Sequence, residues 1–138
     1  KMNLFQSCIR TIPWLIALLL AGCVFDSGVA WSHAPYALVW IDTPENVSLS
    51  YKVGSGAWIG RVEPSVFAVG ANTKYVVAKQ HPHGDKTITN YFIIEIAKDS
   101  LYAEPKDVVA GPMSEADFRL RAARLDLPTF TEVLESLE

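Results

Sequence analysis

Between residues 47 and 53 the chain alternates strictly: Val47, Leu49, Tyr51 and Val53 are apolar, and Ser48, Ser50 and Lys52 between them are polar. A period of two marks an extended strand with one face in a core and the other in water, because successive side chains leave a pleated strand on opposite sides. Gly54-Ser55-Gly56 follows. Glycine accepts positive φ without steric cost, so the chain reverses there and Ala57 to Val62 returns as the hairpin partner.

Strand signals recur on both sides of this hairpin. Ala37 to Ile41 precedes it and is ended by Asp42-Thr43-Pro44. Val66 to Val69 and Tyr75 to Lys79 form a second hairpin around Gly70-Ala71-Asn72-Thr73, whose glycine and asparagine tolerate left-handed backbone. A loop from Gln80 to Lys86 leads to Ile88–Ala97, where Tyr91-Phe92-Ile93-Ile94 sends apolar side chains both ways. Such a strand is covered on both faces. Leu101 to Val109 reads as an edge strand interrupted by Pro105.

Near residue 114 the period changes. Ser114 is placed as an N-cap with Asp117 three residues on, and Met113 and Phe118 are spaced as a hydrophobic staple. Phe118, Ala122 and Leu125 share a helical face, and Pro128 is expected to end the helix. Phe130, Val133, Leu134 and Leu137 then predict a last helix with Glu132, Glu135 and Glu138 on its wet side. The expected fold is α+β: an antiparallel β-meander of about five or six strands with one or two C-terminal helices packed on one face.

Ahead of this domain, residues 1–22 read as a secretory leader. Lys1 and Arg10 flank the start, Ile12 to Leu20 forms an apolar run, and small residues precede Cys23. The run is shorter than the roughly 20 residues that cross a bilayer and fits the roughly 7–15-residue core of an export signal. The expected division is a leader over residues 1–22, a tether over 23–36 and one globular domain over 37–138. Removing the leader leaves 116 of the 138 residues, enough for one compact domain. Of the twelve lysines and arginines, Lys1 and Arg10 leave with the leader, so ten face fifteen acids and the balance is near −5. That balance disfavours nucleic acid, which demands basic patches, and steers the domain towards basic partners. The two cysteines are Cys8, in the leader, and Cys23, so the domain has no disulfide and stands on its core alone.

Leu20-Ala21-Gly22-Cys23 resembles the lipobox of bacterial lipoproteins. The resemblance implies cleavage before Cys23 and acylation of its sulfur and new amino group, with enough lipid for stable anchoring to the membrane. Val24 follows, where lipoproteins kept at the inner membrane carry aspartate. By the same resemblance the expected location is the bacterial cell envelope, lipid-anchored on the periplasmic face, at the outer membrane.

Catalytic motifs are missing from the sequence: there is no nucleophile elbow, phosphate loop or His-Glu-x-x-His. His81-Pro82-His83-Gly84-Asp85 is the densest polar cluster, but no further histidine or free cysteine completes a metal site. No cofactor or metal is expected, and the chain is not expected to be an enzyme. Trp40, Tyr51, Trp58, Tyr75 and Tyr91 lie on strands and are expected in the core rather than around a ligand.

Residues 69–82, Tyr91-Phe92-Ile93-Ile94 and residues 111–118 together resemble a family of small uncharacterised bacterial lipoproteins. More loosely, the architecture is similar to lipoprotein immunity partners encoded beside type VI secretion lipase effectors. The latter resemblance implies a non-catalytic inhibitor that covers a secreted toxin, with a phospholipase as its partner. The partner-facing residues expected on grounds of exposure and charge are Asn72, His81, His83 and Asp85 on the loops, with Glu132 and Glu135 near the C-terminus. The alternative is a structural or accessory envelope lipoprotein without a toxin partner.

Overall fold

The computed structural model describes residues 26–138, so the expected leader and the lipid site at Cys23 lie outside the described residues. Strands β1 (Ser27–His33), β2 (Tyr36–Ile41), β3 (Val47–Val53) and β4 (Ala57–Val62) form a first sheet in that order. Strands β5 (Val66–Ala71), β6 (Tyr75–Gln80), β7 (Asn90–Glu95), β8 (Val109–Met113) and β9 (Glu132–Val133) form a second, in the order β8-β7-β6-β5-β9. Every pairing is antiparallel. Helix α1 (Pro105–Val108) leads into β8 and α2 (Glu115–Ala122) follows it. The expected class holds, an antiparallel meander with a C-terminal helix, and its nine described strands divide between two sheets.

The sheets share one core. Tyr36, Leu38, Val47, Leu49 and Val62 of the first meet Val66, Val69, Val76, Ala78, Phe92 and Ile94 of the second. On the far face of the second sheet, Val77, Tyr91 and Ile93 pack with Phe118 of α2. The both-ways pattern of β7 thus serves two cores, with Phe92 and Ile94 on one side and Tyr91 and Ile93 on the other. Burying each such side chain contributes about 1.5–3 kcal/mol. The start of α2 is built as its sequence requires. Ser114 Oγ accepts from the Asp117 N–H at 3.1 Å, and its hydroxyl donates to the Asp117 carboxylate at 2.8 Å. Met113 packs on the same cluster as Phe118, completing the staple.

Four segments differ from expectation. The supposed tether is ordered from Ser27, where β1 pairs with β2 from Ser27↔Ile41 to His33↔Tyr36. A bulge between Val29 and Trp31 breaks the period of two and hides this strand. Pro105 does not interrupt a strand. It opens α1, where its missing N–H costs nothing, and the edge strand starts only at Val109. Helix α2 stops at Ala122, well before Pro128. Finally, residues 129–138 are not a helix: Glu132 and Val133 pair with Val69 and Ala68 of β5. Phe130 packs on the helix-side cluster, while Leu134 and Leu137 reach the inter-sheet core, so the segment wraps the edge of the second sheet. Gly70 makes room for it, since a Cβ there would collide with the Thr129 carbonyl.

Candidate functional site

On β4, Val62 pairs with core-facing Leu49 and Gly60 with Ser50, so Arg61 is the extra residue of a bulge and is buried beside Val62. An arginine there must find a partner, because an unpaired buried charge is costly. Asp99, placed after β7 by a single 3-10 turn over Ile96–Lys98, supplies it. Arg61 Nε donates to both Asp99 carboxylate oxygens at 3.1 and 2.9 Å, and its Nη2 donates to Oδ1 at 2.9 Å. Both side chains are fully buried. The same Nη2 donates to the Ser100 carbonyl at 3.0 Å, and the Tyr36 hydroxyl donates to Asp99 Oδ2 at 2.9 Å. The Tyr51 ring lies 5.0 Å from the guanidinium and meets Tyr36 edge-on. Burial first, then the hydrogen bond to Asp99, holds the Tyr36 hydroxyl above the usual tyrosine range.

This network clamps the base of the loop that follows. Beyond Ser100, Leu101 and Tyr102 project outward, and Tyr102 is 90 % exposed. Three residues later α1 forms one wall of an open cleft of about 580 Å³. Glu63 and Pro64 of the β4–β5 connection, Pro82 and His83 of the next loop, and Pro105 and Lys106 of α1 line it, with Arg61 beneath its ion pair. The Gln80 amide donates to the Glu63 and Pro64 carbonyls at 3.0 and 3.2 Å, fixing one wall. Proline-rich walls and a neutralised arginine make this a shaped, mostly apolar recess, with Glu63 and Lys106 as charged groups on its walls.

Of the six expected partner-facing residues, only His83 lines this cleft. Asn72 is half-buried. Its Oδ1 accepts from the Lys74 and Tyr75 N–H groups at 2.8 Å each, and its amide donates to the Asp126 carbonyl at 2.8 Å. His81 is not exposed at all: it is 5 % accessible, stacked on Phe67 at 4.1 Å, with Nδ1 2.8 Å from the Ile88 carbonyl. His83 is exposed and carries a left-handed backbone, φ 55. Asp85 is exposed and accepts from the Thr87 hydroxyl at 2.6 Å and its N–H at 3.0 Å. Those bonds, the hydroxyl first, hold its carboxyl below the usual carboxylate range. Glu132 sits half-buried in β9 and Glu135 is exposed.

No three histidine, cysteine, aspartate or glutamate side chains gather into a metal-sized group among the described residues. Of the strand aromatics expected in the core, Trp40 and Tyr51 pack on the inter-sheet core and Tyr75 and Tyr91 on the helix-side one, whereas Trp58 joins neither and lies under Lys52, whose Nζ is 6.0 Å from its ring. Arg61, Asp99, Tyr102 and Lys106 escaped the sequence reading. Neither partner of the ion pair had a signal: alternation with core-facing Val62 turns Arg61 outward until the bulge brings it in, and Asp99 lies 38 residues away.

The family described as "Protein of unknown function (DUF3997)" matches residues 34–134, and the chain belongs to it. The match spans every strand but β1, which precedes it. No curated protein and no solved structure matches the chain.

Proposed function

We propose that this family member is a lipid-anchored, periplasm-facing protein that binds and inhibits a toxic secreted effector encoded nearby, of the phospholipase class. The observation that carries the binding role is Tyr102: a nearly fully exposed aromatic on a clamped loop that runs three residues later into the α1 wall of the recess. Tyrosines concentrate in the energetic centres of protein interfaces because they add large contact area with little conformational entropy to lose. A rigid base lowers that entropy cost further. The Leu20-Ala21-Gly22-Cys23 lipobox supports the anchor, and the net acidity of the domain supports attraction to a basic partner.

The direct test is to express the product of the neighbouring gene in the periplasm with and without this chain. Growth arrest relieved by the wild type, and not by Tyr102→Ala at equal abundance, is the expected result. A neighbouring product that is harmless and forms no complex would remove the inhibitor role and leave an accessory envelope lipoprotein.

A further inference from the structure

We infer that one corner of the first sheet, where β1 starts and β2 ends, rests directly on a lipid surface of zwitterionic headgroups. The inference builds on acylation of Cys23 as proposed above. The chain is already fixed at Asp26, whose carbonyl accepts from the Asp42 N–H at 2.8 Å. Between that point and the lipid-bearing residue lie only Val24 and Phe25, both apolar. Three residue steps reach at most about 10 Å, at roughly 3.3–3.6 Å each. A corner tied this closely cannot drift away from the bilayer.

The corner is suited to that contact. Val29 is 53 % exposed and Ile41 49 %. Val29 pairs with Val39, and Ile41 lies two residues further along β2 opposite Ser27, so both side chains leave the same face of the sheet. Scattered exposed apolar residues need no explanation. Two on one face, within tether reach of the lipid, make an apolar contact for the headgroup and upper acyl region. Asp26, Asp42 and Glu45 ring the same corner. An anionic leaflet would repel them, which selects a zwitterionic surface. The other end of the sheet, with turns at Ala34-Pro35 and Gly54-Ser55-Gly56, lies about 20 Å away, from seven residues of β1 at roughly 3.3 Å each. It stays in water.

The full-length protein is made in cells that process lipoproteins and reconstituted into phosphatidylcholine vesicles carrying doxyl-labelled lipid. With Cys8 in the leader and Cys23 acylated, cysteines introduced as Val29→Cys, Ile41→Cys, Ser55→Cys and Tyr102→Cys take a fluorophore uniquely. Intact mass first reports whether Cys23 is acylated. In acylated protein the labels at 29 and 41 are expected to be quenched several-fold more than those at 55 and 102. Adding phosphatidylglycerol at low salt is expected to reduce that difference. Equal quenching at all four positions in acylated protein would overturn the docked corner and leave the anchor intact. Shielding at 29 and 41 without lipid quenching would assign the corner to a second copy or a protein, and also overturn it. An unmodified mass would overturn the anchor and the docking together.

Discussion

The loop from Gln80 to Lys86 and the loop from Asp99 to Glu104 invert what their sequences advertise. The first carries two histidines and an aspartate and looks built for chemistry. In the folded chain His81 is core, stacked on Phe67, and Asp85 closes a local turn with Thr87. The second carries no motif, yet its aspartate anchors a fully buried ion pair and its tyrosine stands nearly free in solvent. Polar residues in a loop commonly satisfy the loop's own backbone, since orphaned polar groups are costly when buried. A binding surface needs instead a rigid base and an exposed anchor, and only the second loop supplies both.

Breaking that base should have the largest effect. Asp99→Ala leaves Arg61 as an uncompensated buried charge, and urea unfolding should show a loss of about 3–5 kcal/mol. A loss no larger than that of an exposed substitution would erase the contrast between the loops. Within the first loop, His81→Ala should lose its stack and its bond to Ile88, about 2 kcal/mol in the same assay. His83→Asn, at an exposed site with backbone that asparagine accepts, should change stability by no more than about 0.5 kcal/mol. Equal effects at 81 and 83 would contradict the assignment of one to the core and one to the surface.

Two pH limbs separate the loops further. The Tyr36 hydroxyl is raised in the folded state, so its contribution is fully present below the ordinary value of 10.0 and is lost as pH climbs from there towards the folded value. Tyr36→Phe should flatten the alkaline limb of a stability profile. The Asp85 carboxyl is lowered, so its contribution is present at neutral pH and lost as pH falls through the depressed range. Asp85→Asn should remove a small part of the acid limb. Because this group is fully exposed, the alkaline change should be the larger of the two.

Much of the scaffold was legible because it obeys local rules. Ala57–Val62 and Val47–Val53 are strands to the residue, the two-faced β7 was readable from its unbroken apolar run, and Ser114 caps α2 as its spacing requires. The failures share a cause: a local period imitated or obscured by tertiary context. Phe130, Val133, Leu134 and Leu137 have helical spacing because the segment crosses a sheet edge and feeds two different cores. β1 lost its alternation to a bulge. The Arg61–Asp99 pair is long-range, and no single sequence encodes which aspartate an inward arginine will meet. The site therefore stayed largely hidden, and of the six residues expected at a partner surface only His83 reached the cleft.

The proposed role of Tyr102 as the anchor of a protein interface is tested most directly by titration calorimetry of the purified mature domain against the neighbouring gene's product. A one-to-one complex weakened about thirtyfold or more by Tyr102→Ala, equivalent to roughly 2 kcal/mol, with folding unchanged, is the predicted result. Absence of binding, or a complex indifferent to Tyr102→Ala, would contradict it.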